Sequence, residues 1–260
     1  MHAHQVAPAL SIAWSVCILL ALVAAVAYIF AARRRRGWSP WRSIAFVSGL
    51  ALLVGAFAPS LMAWAHTDLR GHMAQHMLLG MYAPLLLALA APATLLLGAL
   101  PAAGARGFAR LLNSSALRLL THPLVALVLN IGGMAVLYLT PLYAASRGDP
   151  WLHALVHYHF VAAGYLYCWA VIGTEPAARR HGFALRLGTL LAGAALHAWL
   201  AKLMYSHGFP RGTGAAMSEI EAAAMWMYYG GDIAEIALAS AFFARWYGDA
   251  GRRLHAAHAG

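Results

Sequence analysis

The chain has 260 residues, of which 62% are hydrophobic and only 10% are charged. Soluble globular domains carry about a quarter charged residues, so this composition excludes an ordinary water-soluble protein. Eighteen Lys and Arg against eight Asp and Glu give a formal net charge of +10. In so apolar a chain, an excess of positive charge usually lies in cytoplasmic loops and indicates the orientation of the membrane spans. We therefore expect no nucleic-acid partner. The protein is therefore expected in a lipid bilayer.

Apolar runs predict an all-α polytopic membrane helix bundle with seven transmembrane helices, each of about 20 apolar residues. The predicted spans cover residues 9–32, 41–64, 72–97, 123–144, 151–173, 185–205 and 222–247. They form a single transmembrane domain over residues 1–247, followed by a short polar cytoplasmic tail over 248–260. Pro84 and Pro92 predict that the third span is kinked or broken.

The arginines predict an outside N-terminus and a cytoplasmic C-terminus. Four consecutive arginines at 33–36 follow the first span, and no Lys or Arg precedes it, which is untypical of a cleaved signal peptide. With this orientation, 14 of the 18 Lys and Arg fall on the cytoplasmic side, as the positive-inside rule requires. The remaining four, on the outer side, are Arg70, Arg147, Lys202 and Arg211.

Histidine is the compositional anomaly, with 14 residues in this apolar chain. Ionisable residues inside membrane spans are costly and are candidates for function by default. The predicted topology places seven histidines toward the outer side: His66, His72, His76, His153, His157, His159 and His197. Of these, His66 is expected in the short loop before the third span.

Two spans carry histidine pairs at helical spacing. His72 and His76 stand four residues apart in the third span and therefore share one helix face. In the fifth span His153 and His157 share a face in the same way, whereas His159 lies about 200° round from His157. At most two of the three histidines of the fifth span are therefore expected to reach one metal ion without a helix distortion.

Other side chains accompany these histidines. Met73 and Met77 repeat the four-residue spacing on the adjoining stripe of the third span. Asp232 and Glu235 stand three residues apart in the seventh span and lie near one face. Gly164 continues the histidine stripe of the fifth span, where a small residue permits close helix approach.

The pattern favours a metal or haem site, with a proton pathway and a purely structural role as alternatives. Imidazole suits Cu, Zn, Fe and Ni, and thioethers add a preference for Cu(I). The sequence has no HExxH motif, Walker lysine loop or GxSxG elbow, so no enzyme is predicted. The sequence does not distinguish a copper site from a haem b site, because two histidines on facing helices can ligate either group. A proton or metal transporter based on Asp232 and Glu235 is a third reading.

Several short sequence motifs follow one another along the chain. They are His72-Met-Ala-Gln-His76, Ala83-Pro84, Ala91-Pro92, His157-Tyr-His159-Phe160, Ile172-Gly-Thr-Glu-Pro176, His197-Ala-Trp and Met227-Tyr-Tyr-Gly-Gly-Asp232. With them, over about residues 66–247, the chain resembles the polytopic CtaG-type assembly factors of cytochrome c oxidase, a family linked to caa-type oxidases.

The resemblance implies a multi-pass protein of the bacterial plasma membrane that binds copper and delivers it toward the CuB centre of cytochrome c oxidase. Its implied partners are the oxidase subunit that carries CuB and a periplasmic copper donor. A membrane electron-transfer protein that binds haem b is the alternative. The implied metal ligands at motif positions are His72, His76, His157, His159 and His197, with His153 and His66 fitting less closely and Met73, Met77, Asp232 and Glu235 as accessory candidates.

Overall fold

A computed structural model describes residues 3–176 and 181–258 of the protein. Within these ranges the fold is all-helical, with 86% helix and no strand. The all-α prediction is confirmed. Arg179 and Arg180, two of the 14 cationic residues assigned to the cytoplasmic side, lie outside the described residues.

Fourteen α-helices and two π-helical segments follow one another along the described chain. They are α1 Ala3–Arg34, α2 Pro40–Ala56, α3 Pro59–Thr67, α4 Leu69–Met77, the first π-segment Leu78–Tyr82, α5 Ala83–Ala90, α6 Pro92–Ala99, α7 Ala102–Leu112, α8 Ser115–Leu120, α9 Pro123–Leu127, the second π-segment Val128–Gly132, α10 Gly133–Leu139, α11 Leu142–Gly148, α12 Pro150–Ile172, α13 Phe183–His207 and α14 Met217–His258.

Length and apolarity mark four stretches of the described chain as able to cross a membrane. These are Trp14–Arg34, Leu69–Ala99, Pro150–Ile172 and Phe183–His207. Two more predicted spans are bent helix pairs, α2 with α3 at 52° and the stretch Pro123–Leu139 with α11 at 78°. Counting each bent pair as one span gives six.

The seventh predicted span lies within α14, which is less apolar than the others. This helix runs unbroken from Met217 to His258, so it also continues through most of the predicted tail. Asp232 and Glu235 lower the hydropathy of the stretch, and it is not among the four to six candidates for crossing. The count of seven spans and the sidedness of the termini stay predictions.

The third predicted span is broken at one of its two prolines. Ala91 adopts a left-handed conformation with φ of 53° directly before Pro92. This conformation is strained for a residue with a Cβ. Pro92 lacks an N–H group and disfavours a right-handed helical conformation in the residue before it. Helix α5 therefore ends at Ala90 and α6 begins at Pro92.

Side chains from other helices satisfy the carbonyl groups that the break exposes. Tyr28 of α1 donates its hydroxyl to the Ala90 carbonyl at 2.7 Å. Thr174, which follows α12, donates to the Ala88 carbonyl at 2.6 Å. An unsatisfied backbone group in an apolar interior costs several kcal/mol, so these bonds keep the break in place.

The buried carboxylate of Glu175 caps the N-terminus of α6. It accepts hydrogen bonds from the backbone N–H groups of Ala93 and Thr94 and from the Thr94 hydroxyl, all at 2.9 Å. The Tyr165 hydroxyl donates a fourth bond at 3.0 Å. A helix N-terminus favours negative charge, and Glu175 is only 1% exposed. The segment after α12 is thereby fixed to the break.

Helix α12 packs closely against the first π-segment. A Cβ at Gly164 would lie 2.1 Å from the carbonyl oxygen of Gly80, a distance that would force the backbones apart. The predicted close helix approach at Gly164 is confirmed. Each π-segment adds a residue to its helix and so changes which side chains share a face, a feature common at functional sites.

Two carboxylates cap α4, the helix that carries the first histidine pair. Asp68 accepts from the N–H of Arg70, and Glu219 at the start of α14 accepts from the N–H of Leu69, both at 2.8 Å. The Arg70 guanidinium bonds the Asp68 carboxylate and holds its pKa below the usual value. Asp68 therefore stays ionised where the helix dipole favours a negative charge.

The charge distribution predicts that a reporter active only in the cytoplasm works when it is fused after Gly260. Fourteen of 18 Lys and Arg lie on the side that this topology assigns to the cytoplasm. The measurement compares cytoplasmic and periplasmic reporters at the same position. Activity of the periplasmic reporter alone would contradict the predicted orientation.

The cap on α6 predicts that Glu175→Gln destabilises the protein. An amide would place its NH₂ group against N–H donors and lose a charge-assisted bond, at a cost of about 1–3 kcal/mol. The measurement is thermal unfolding of the purified protein in detergent. Glu221→Gln on α14 removes a carboxylate that is not enclosed in this way and serves as the control. Equal unfolding temperatures of the two variants would contradict a stabilising role of Glu175 as the cap of α6.

Candidate metal centre

Three histidines form a group between α3 and α12, which we call the rim group: His66, His153 and His157. The rings of His66 and His153 stack with centroids 5.2 Å apart, and those of His153 and His157 meet edge to face at 4.2 Å. His66 is exposed and lies in the last turn of α3, so the expectation of a loop position is wrong. His157 is buried, and the rim group therefore leads from the surface into the protein.

His72 and His76 lie on one face of α4, as their spacing predicts, and both are buried. The Nε2 atom of His72 is 3.1 Å from the Tyr138 hydroxyl. The ring of His76 packs against Phe160 with centroids 4.5 Å apart. Neither nitrogen of His76 has a hydrogen-bond partner among the described residues.

A carboxylate holds the ring of His197 on α13. Its Nδ1 lies 3.2 Å from Oε1 of Glu235 on α14, and both side chains are largely buried. With its proton on Nδ1 donated to Glu235, the imidazole keeps a free lone pair on Nε2. This Nε2 atom has no partner in the described part of the chain. A carboxylate behind an imidazole is the arrangement that commonly orients a metal-bound histidine.

A small cavity lies beside His197, where the two π-segments meet. Its volume of about 30 Å³ is enough for one water molecule or one metal ion. Its polar and sulfur-bearing lining residues are Met81, Asn130, Tyr167, Cys168, His197 and Glu235.

Gly80 connects the histidines of α4 to this cavity. A Cβ at Gly80 would lie 3.4 Å from Cε1 of His76, and Gly80 itself lines the cavity with His197. The rings of His72 and His76 both pack against the Tyr138 ring, with centroids 5.9 and 6.0 Å from it. The two histidines of α4 therefore lie close together, and His76 adjoins the residue that lines the cavity.

His159 faces away from the rim group. Its Nε2 lies 3.0 Å from the carbonyl oxygen of Leu129 in the second π-segment. A Cβ at Gly133 would be only 2.1 Å from the same nitrogen, so glycine makes room for the ring. The structure therefore places His157 and His159 on different faces of α12, as the angular spacing predicts.

Two glycines let α14 approach the site. A Cβ at Gly231 would lie 2.2 Å from Cε1 of His197, and a Cβ at Gly230 would lie 2.1 Å from Sδ of Met77. Both side chains therefore depend on the Gly-Gly pair for space. Asp232 follows this pair and is half-buried. Met73, on α4, is fully buried in an apolar core cluster.

The imidazole nitrogens account for most of the unpartnered buried polar atoms. In the described ranges, seven buried side-chain N and O atoms lack a hydrogen-bond partner, and five of them belong to His76, His153, His157 and His197. Buried polar atoms are normally bonded, so such a concentration calls for an explanation. No three His, Cys, Asp or Glu side chains of the described chain are grouped closely enough to hold a metal ion.

A comparison with protein families gives a match over residues 8–249 to the cytochrome c oxidase caa3 assembly factor family. This covers most of the chain. The chain belongs to that family. This confirms the resemblance to the CtaG-type assembly factors that the histidine motifs indicated.

Curated proteins that are similar to this chain include mycobacterial proteins described as uncharacterised. Those of Mycobacterium bovis and Mycobacterium tuberculosis are each 38% identical over 189 residues, and that of Mycobacterium leprae is 34% identical over 190. The matches cover 68–69% of this chain but only 29% of each relative. The chain therefore spans less than a third of the relatives' length. No solved structure matches it.

Three polar residues have roles that the sequence pattern does not predict. Glu175 lies within one of the motifs, and it carries the cap on α6. Asn130 lines the cavity, and the Tyr138 hydroxyl lies within hydrogen-bond distance of His72. A lone Asn inside a predicted span is the signal that could have found Asn130.

Proposed function

We propose that the protein is a non-catalytic assembly factor that holds copper as cargo and delivers it toward the CuB centre of cytochrome c oxidase. It would act in the bacterial plasma membrane with seven spans, an outside N-terminus and a cytoplasmic C-terminus. Its partners would be the oxidase subunit that carries CuB and a periplasmic copper donor. Family membership supports the role in oxidase assembly.

The observation that carries the copper proposal is the set of unpartnered imidazole nitrogens. Five such buried atoms lie on α4, α12 and α13. Removing them from water without a hydrogen bond costs free energy that a bound metal ion would recover. Neutral imidazole is a good ligand for copper, and no thiolate cage is needed.

The inner part of this site is the pair His76 and His197. His76 lies against Gly80, and Gly80 lines the cavity beside His197, which has room for one ion. Glu235 orients the imidazole of His197 so that the lone pair of Nε2 is available to a metal ion. We infer that Cu(I), which accepts few ligands, binds here with a thioether from Met81, which lines the cavity, or from Met77, whose Sδ lies against Gly230.

The rim group supplies a route to the inner pair. His66 is exposed, whereas His157 is buried. Pairs of imidazoles with an open edge suit transfer better than a closed tetrahedral cage, because each ligand can be exchanged in turn. Copper would therefore enter at the rim group, move on to the inner pair, and leave by exchange with the client.

The cavity beside His197 favours copper over haem b. Its volume of about 30 Å³ is far below the space that a porphyrin fills. His72 and His159, two further histidines of the motifs, are already engaged by Tyr138 and Leu129. An absorption spectrum of the purified protein separates the two: haem gives a Soret band and Cu(I) does not.

We expect His76→Ala and His157→Ala to weaken copper binding, because each removes an imidazole with an unpartnered nitrogen. The loss should exceed the roughly 10–100-fold contributed by a group that only orients a ligand. The measurement is a Cu(I) competition titration of purified protein, with thermal unfolding to verify folding. His207→Ala, at the exposed end of α13, is the control. Unchanged affinity in both variants would place the site elsewhere.

The two faces of α12 allow a sharper comparison within one helix. His153→Ala removes an unpartnered nitrogen of the rim group, whereas His159→Ala removes one that lies against the Leu129 carbonyl. We expect the first variant to bind copper more weakly and the second to keep its affinity. The reverse order would contradict the assignment of the faces.

Replacing Glu235 by Gln tests whether the carboxylate orients His197. The amide keeps the size but loses the charge, and we expect copper affinity to fall by about 10–100-fold. Glu221→Gln on the same helix is the matched control. If both variants bind copper as tightly as the unaltered protein, Glu235 has no part in the site.

Deletion of the gene tests delivery in the cell. We expect oxidase subunits that contain haem but lack CuB, because only the copper supply fails. High external copper should restore part of the oxidase activity by mass action. The measurement is oxidase activity with copper and haem content across a copper series. A normal copper-to-haem ratio with activity still missing would contradict copper delivery.

A further inference from the structure

A cavity at the arginine-rich end of α1 lies apart from the histidines. It has a volume of about 500 Å³ and lies between α1 and α6. Its lining residues are Phe30, Ala31, Arg34, Arg35, Arg36, Leu95, Gly98 and Ala99. One part of the wall is thus apolar, and the other carries three guanidinium groups.

Two of these arginines are held in place by contacts within the protein. Arg35 donates from one terminal nitrogen to the Thr94 carbonyl at 2.8 Å. A Cβ at Gly98 would lie 2.5 Å from that nitrogen, so glycine leaves room for the guanidinium across the cavity. Arg34 lies over the Phe30 ring at 4.0 Å. The cationic wall is therefore a built surface of the α1/α6 contact.

The positive charge of this region has no counterpart in the nearby sequence. Five arginines lie at positions 33–36 and 42, and the first 67 residues contain no Asp or Glu. In the described chain, the ion pairs lie elsewhere, at Arg70, His197, Arg245 and Arg252. Glu175, which bonds the N-terminus of α6, is enclosed by its own donors. The exposed guanidinium groups at positions 33–36 are therefore available to an anion from outside the chain.

We propose that this cavity binds the phosphate head group of an anionic glycerophospholipid. Guanidinium groups match phosphate oxygens with paired hydrogen bonds, and basic pockets between membrane helices on the cytoplasmic side commonly hold such head groups. The cavity opens at the end of the apolar stretch Trp14–Arg34, the level of a bilayer head group. The acyl chains lie along the exposed apolar face of α1, which includes Leu22, Val26 and Phe30.

The test uses the full chain in detergent with phosphatidylglycerol or cardiolipin added, against phosphatidylcholine as the zwitterionic lipid. Native mass spectrometry counts the lipid retained, and thermal unfolding reports the stabilisation. The double variant Arg34→Gln/Arg36→Gln leaves the Arg35 bond to Thr94 intact. We expect it to lower the affinity for anionic lipid by more than about 10-fold, because it removes two guanidinium groups that would form charge-assisted hydrogen bonds to the phosphate.

The matched control is Arg106→Gln/Arg110→Gln on α7, which removes two exposed arginines that the topology predicts on the same membrane side. It should retain anionic lipid like the unaltered protein. Equal loss in the two double variants would show general surface attraction and overturn the proposal. Equal retention of phosphatidylcholine would overturn it as well. Displacement of the lipid by millimolar inorganic phosphate would assign the cavity to a free anion instead.

Discussion

The break in the third predicted span is the constraint on which the surrounding structure depends. At Ala91 and Pro92 the helix is interrupted within apolar surroundings, where no water can hydrogen-bond the exposed backbone groups. Tyr28 and Thr174 bond the freed carbonyls, and Glu175 bonds the freed N–H groups. These bonds come from α1 and from the segment after α12. The break therefore fixes three distant parts of the chain relative to one another.

The same span positions the histidine site through its first π-segment. His72 and His76 lie directly before that segment, and Gly80 within it meets both His76 and α12. The second π-segment brings Asn130 to the cavity beside His197. A regular α-helix would turn these residues to other faces, since each added residue rotates the helix that follows by about 100°. Two local departures from α-geometry thus meet at one small cavity.

Hydrogen bonding divides the buried histidines into two classes that differ in what they can bind. His72 and His159 have partners within the protein, the Tyr138 hydroxyl and the Leu129 carbonyl. His76, His153 and His157 have unpartnered nitrogens, and His197 has one nitrogen beside Glu235 and one without a partner among the described residues. The copper cargo that we propose would account for this second class. Under that proposal, ligands arranged as pairs rather than as a closed cage would also suit release of the metal.

The sequence by itself determined the features that depend on local spacing: the helical fold, the break at Pro92, the shared face of His72 and His76, and the divergence of His157 from His159. Helical periodicity fixes the angle between neighbours along one helix, so these follow without a structure. Only the tertiary structure decided which histidines have partners, because the register between helices is set by packing at glycines such as Gly164 and Gly231. The bond between Glu235 and His197 and the cap formed by Glu175 join residues whose proximity no local spacing encodes.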